Sequence, residues 1–174
     1  NADCGAVLPY RLREEQQKCV DKTADYYSAH PTGEFLWNCK PRFGKTLTAY
    51  DFIKKVGAQK VLIVTNRPAV ANSWYEDYEK FLGRESGYFF VSNTDGVRGK
   101  PQVMPYDEYE RDQKSRTARG SDSLPVGLID FVSLQDLKGS LELGGQYLKL
   151  KELVKIRWDV LVIDEAHEGV DTFR

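Results

Sequence analysis

Residues 160–163 (VLVI) are apolar at every position and run straight into Asp164-Glu165-Ala166-His167. A strand without polar alternation is buried on both faces, which a parallel sheet covered by helices provides and a one-sided antiparallel sheet does not. Lys60–Thr65 (KVLIVT) has the same character. Between and around such runs lie stretches with helical spacing. Residues 11–29 read as a helix ended by His30-Pro31-Thr32-Gly33, Lys45–Val56 as a helix with Leu47, Tyr50 and Ile53 inward, and residues 69–82 as a helix with Trp74, Tyr78 and Phe81 on one side. Further strands are expected at 35–37 (a short buried one), 87–91, 125–132 and 159–163, and a last helix at 147–156. Strands alternating with helices predict an α/β fold, a three-layer parallel sheet.

Residues 92–124 break the pattern. They carry Asn, Gly, Pro, Asp, Arg and Ser with little apolar periodicity, and read as a polar, partly mobile insertion with one short helix over Tyr106–Ala118. Its bases Arg111, Lys114, Arg116 and Arg119 are balanced by Asp107, Glu108, Glu110 and Asp112, so the segment reads as a solvated face rather than a nucleic-acid patch. The whole chain is balanced too: 25 Lys and Arg against 26 Asp and Glu leave a net charge of -1, with no global basic field. Three cysteines, Cys4, Cys19 and Cys39, without CxxC spacing point to reduced thiols in a cytoplasmic setting, not to disulfides or zinc. No apolar run approaches the roughly 20 residues of a membrane span, and residues 1–10 do not read as a signal peptide.

Two segments carry chemistry. Cys39-Lys40-Pro41-Arg42-Phe43-Gly44-Lys45-Thr46 joins an apolar run to the start of a helix, the setting of a phosphate-binding loop. Gly44 lets the backbone approach an anion, the helix N-terminus and loop N–H groups face it, Lys45 reaches the β- and γ-phosphates, and Thr46 offers a hydroxyl to Mg²⁺. Cys39 stands where this loop ordinarily has its first glycine. The second segment is the acidic box. Ligands of open α/β sheets sit at the carboxyl ends of strands, where Asp164 can hold Mg²⁺ and Glu165 can orient and deprotonate a water. Four apolar residues followed by DEAH arise by chance in about one chain in a thousand at average composition. The two segments together read as an ATP and Mg²⁺ site of a P-loop NTPase.

With both boxes in place, the chain resembles the first RecA-like motor domain of superfamily 2 helicases, and within it the motor subunits of type I and type III restriction enzymes and related DEAD/DEAH-like DNA translocases. Arg13-Glu14-Glu15-Gln16, after Leu12, resembles the glutamine element that reads adenine, which makes Gln16 the adenine contact with Arg13 nearby and Gln17 as its competitor. Thr65-Asn66-Arg67-Pro68 and Phe131-Val132-Ser133-Leu134-Gln135 resemble strand-end elements that grip a nucleic-acid backbone, and imply contacts from Arg67, Ser133 and Gln135. Trp74 occupies a place where these motors often carry tryptophan, although core packing accounts for it. The resemblance implies ATP-dependent movement on DNA, or duplex separation, with DNA (or RNA) as partner and a second RecA-like domain supplying arginine fingers worth about 10³ or more in rate. On that reading residues 1–174 are a single, C-terminally truncated RecA-like domain, inactive or very slow alone. Two other readings of the same residues are a P-loop ATPase with no nucleic-acid role and a degenerate nucleotide-binding module.

Overall fold

The computed structural model describes residues 11–119, 127–136, 153 and 155–164. Glu165, His167, Cys4 and most of the helix expected at 147–156 lie outside the described residues. The chain divides into two compact units, Asn1–Val56 and Gly57–Arg174.

The first unit pairs two helices, α1 (Glu14–Ala29) and α2 (Lys45–Val56). Gln16, Val20 and Thr23 are the buried positions of α1, at the i, i+4, i+7 spacing of one helix face. Between the helices the chain is extended, and here the sequence expectation fails. Residues 35–37 form no strand, and Leu36 is 80% exposed instead of buried. Alternate side chains explain it, since an extended segment offers only every second residue to one partner. The Phe35 ring lies 5.2 Å from Tyr26. Trp37 donates its indole N–H to Thr23 Oγ1 at 2.8 Å and sets its ring 6.3 Å from Phe52 of α2. Leu36, between them, points the other way.

The second unit is a five-stranded sheet of β1 (Lys60–Thr65), β2 (Tyr88–Val91), β3 (Val103–Met104), β4 (Gly127–Ser133) and β5 (Val160–Asp164). The order is β3-β2-β4-β1-β5 and all four pairings are parallel. Two helices cover it, α3 (Ala71–Phe81), entered through a 3₁₀ turn at Pro68–Val70, and α4 (Tyr106–Ala118). They take opposite faces, because successive strand residues alternate. Phe90 packs against Tyr75 and Tyr78 of α3 and stacks on Phe131 of β4. Its neighbour Val91 joins Leu128, Met104 and Tyr109 of α4 on the other face. Burial among these, and then the nearby Asp130 carboxylate, raise the pKa of the Tyr109 hydroxyl.

Residues 92–119, read from sequence as part of a polar insertion, thus contribute a strand and a helix to this sheet. The helix lies where its sequence suggests. The strand is two residues long, too short for a periodicity signal. Of the α4 charges, Arg116 bonds Asp112 at 2.6 Å and lies over the Phe89 ring, and Arg111 pairs with Asp107.

Gly127 opens β4 where a Cβ would clash with ring atoms of Tyr88. The Tyr88 hydroxyl in turn donates to the Ala58 carbonyl at 2.7 Å. Only glycine lets that ring lie across the strand.

Candidate nucleotide and nucleic-acid site

The phosphate loop is shaped by its backbone. Gly44 has φ +79° and Arg42 has φ +65°. A non-glycine residue in the left-handed region stores about 1–3 kcal/mol and persists only where its surroundings hold it. Here α1 and Arg13, the residue that precedes it, do the holding. Arg13 donates from Nη2 to the carbonyls of Arg42 (2.9 Å) and Phe43 (2.7 Å). Gln16, 3% exposed, accepts the Arg13 backbone N–H at Oε1 (2.8 Å) and donates from Nε2 to the Phe43 carbonyl (2.7 Å). A Cβ at Gly44 would also sit 2.5 Å from Gln16 Nε2 and displace that amide from its bond to the Phe43 carbonyl.

Helix α2 begins at once with Lys45, half-buried, and Thr46, buried. Thr48 closes the first turn, with its N–H and its hydroxyl both donating to the Gly44 carbonyl. Gln17, the competitor for the adenine role, is exposed and donates its side-chain amide to Asp21 of its own helix. Cys39 and Cys19, both half-buried, belong to this unit, and among the described residues neither forms a disulfide. Burial first, and then the neighbouring Cys39, raise the Cys19 pKa.

In the sheet unit, register decides the site. Thr65 of β1 pairs with Ser133 of β4 on one side and Asp164 of β5 on the other. Three polar residues therefore end adjacent strands in a row, spaced by the roughly 4.8 Å of a sheet. All three are buried. Asp164 is 7% exposed, and the Trp74 indole Nε1–H donates to its Oδ2 at 2.9 Å. The role of Trp74 as a carboxylate partner is not visible in the sequence, where its apolar bulk reads as core.

The strand-end residues differ in what they can reach. Arg67 and Gln135 are exposed. Ser133 is 0% exposed, and its Oγ accepts the Gln135 N–H at 3.2 Å, so its hydroxyl is turned into the fold. Beside it a pocket of about 30 Å³ is lined by Ser92, Asn93, Tyr106, Asp130, Ser133 and Asp136. That volume holds a water or two and no nucleotide.

A parallel α/β sheet together with a glycine-shaped loop opening a helix defines a RecA-like P-loop domain. The chain belongs to the family described as "Type III restriction enzyme, res subunit", which matches residues 9–173. It is similar to a Mycoplasma pneumoniae protein that carries the provisional name of a type II restriction enzyme and methyltransferase C-terminus. The two are 32% identical over 175 residues, 95% of this chain and 21% of that protein. The chain therefore spans about a fifth of that relative's length. No solved structure matches the chain. This is a helicase-like motor domain of the restriction type. Among the described residues no helix is long and apolar enough to cross a membrane.

Proposed function

We propose that this chain is the ATP-binding domain of an ATP-dependent DNA helicase or translocase in a restriction system. The observation that carries the reading is the loop at Arg42–Phe43–Gly44, bent through positive φ and followed directly by α2. Such a loop leaves main-chain N–H groups and a helix N-terminus for an anion. Lys45 is the cation for the β- and γ-phosphates. The Thr46 hydroxyl and the Asp164 carboxylate are each oxygen donors of the type that Mg²⁺, a hard ion, takes. Bound there, Mg²⁺ would supply charge neutralisation for the phosphates while the γ-phosphoryl group passes to water and ADP leaves.

Glu165 takes the proton of the attacking water. Arg13 and Gln16 keep the loop in shape, and the second amide hydrogen of Gln16 serves adenine. Arg67 and Gln135 contact the DNA backbone from their strand ends, while Ser133 acts through the bond it makes to Gln135. A second RecA-like domain of the full-length protein supplies the remaining catalytic cations, and the protein works in the cytoplasm.

Displacement of a triplex-forming strand from duplex DNA by the full-length protein tests the proposal. ATP-dependent displacement, lost in Lys45→Ala, is expected. ATP hydrolysis without displacement of a triplex or separation of a duplex removes the motor role. The same result with RNA in place of DNA corrects the substrate.

A further inference from the structure

Asp164 is the metal ligand of the proposed site, and a carboxylate with two rotatable bonds needs something to aim it. Trp74 is such a group. The chain leaves β1 at Thr65, turns through Asn66, Arg67 and the 3₁₀ turn at Pro68–Val70, and returns as α3. That path lays α3 on the face of the sheet to which Thr65, Ser133 and Asp164 belong. In the first turn of α3, Trp74 is 2% exposed, and its indole bonds Asp164 Oδ2 across 90 residues of sequence.

Indole is a donor only, with one N–H and no acceptor. Here it is spent on a carboxylate, in a bond between two buried groups. A bond to an ionised acceptor is roughly twice as strong as a neutral one. Core packing alone accounts for the bulk of Trp74 but not for where its N–H points. A phenylalanine would fill the core; it would not orient the carboxylate.

We infer that Trp74 is a positioning residue for the metal site: its N–H fixes the carboxylate of Asp164 in the orientation from which it takes Mg²⁺. The inference rests on the proposed ATP and Mg²⁺ function. Groups that orient a metal-binding carboxylate from behind typically change metal affinity or activity by about 10–100-fold when removed. The effect belongs in the metal dependence, not in nucleotide recognition, which residues 13–46 carry.

The experiment compares the full-length protein with Trp74→Phe and with a form carrying 3-benzothienylalanine at position 74. That analogue keeps both rings and exchanges the N–H for sulfur, so it removes the bond while filling the same space. The Mg²⁺ concentration for half-maximal ATP hydrolysis is expected to rise about 10–100-fold in both, with the rate at saturating Mg²⁺ within a few-fold of the parent. A second readout is independent of turnover. The Trp74 indole N–H resonance, identified by its loss in Trp74→Phe, is expected to shift on adding Mg²⁺ and in Asp164→Asn. An unchanged metal requirement in the isosteric form overturns the inference, as does an indole resonance indifferent to Asp164→Asn. The two failures separate cleanly. A parent protein that neither binds nor hydrolyses Mg·ATP removes the functional reading, and the inference with it. A parent that hydrolyses ATP, with a metal dependence indifferent to position 74, removes only the inference.

Discussion

The phosphate loop is shaped by main chain, with Arg42 and Gly44 at positive φ and the Arg42 and Phe43 carbonyls held by Arg13 and Gln16. The carboxyl edge of the sheet is shaped by register and burial, with Asp164, Thr65 and Ser133 abreast and Trp74 bonded to the first of them. One region depends on a few backbone angles and long polar side chains, the other on core packing. They should therefore fail differently, the loop losing ligand affinity before stability and the sheet edge losing stability along with its chemistry.

The largest effect is expected from the loop's charge. Lys45→Ala should lower ATP hydrolysis by the full-length protein about 10²–10³-fold, the scale of losing one group that stabilises developing charge. Its thermal midpoint without nucleotide should stay near the parent's; a large fall would give the loop a structural role and blur the comparison. Gly44→Ala comes next. It puts a Cβ at φ +79° and 2.5 Å from Gln16 Nε2. Backbone strain of that kind costs about 1–3 kcal/mol, and calorimetric titration with Mg·ATP should show the loss as weaker binding. Affinity equal to the parent's would mean that the loop is not where phosphate binds.

On the sheet side, at the opposite end of β4 from Ser133 and so away from the carboxyl edge, Gly127→Ala drives a Cβ into the Tyr88 ring. Overpacking of this sort costs about 1–3 kcal/mol. Denaturant unfolding should show it, with Mg·ATP affinity under native conditions nearly unchanged. A smaller effect is expected for Arg13→Ala, which removes two exposed hydrogen bonds to the loop. Net hydrogen-bond contributions of about 0.5–1.5 kcal/mol translate to a few-fold weaker nucleotide binding.

The smallest effect is chemical. Because burial raises the Cys19 pKa, less thiolate is present near pH 8 than for a free cysteine, and thiolate is the reactive form. Cys19 should alkylate more slowly than a free cysteine at that pH and gain rate steeply as pH rises, with peptide mapping as the measurement. Cys39, at the start of the loop, should be the thiol that ATP protects.

The same contrast explains what was legible in the sequence. Lys45–Val56 and Lys60–Thr65 are read from pattern to the residue, because helical spacing and continuous apolar runs are local signals. The parallel sheet follows from those runs. The motif residues of the loop and box are likewise local. What escaped depends on contacts distant in sequence. An extended segment at 35–37 looks like a strand whether or not it finds a ladder, and only its packing on Tyr26, Thr23 and Phe52 shows that it is one-sided. Arg13 is picked out by resemblance, yet its grip on two loop carbonyls is a three-dimensional fact. Ser133 reads as an outward donor, and the register buries it. Trp74 is legible as core, but its bond to Asp164 is not.

In the proposed function, Lys45 of the loop and Asp164 of the sheet each serve a DNA-driven ATPase. Steady-state ATP hydrolysis by the full-length protein, with and without duplex DNA, tests it most directly. The rate should rise at least about tenfold with DNA, within the span that completing such a site can add, and should collapse in both Lys45→Ala and Asp164→Asn. A rate indifferent to DNA and RNA, or one that survives either substitution, would contradict it.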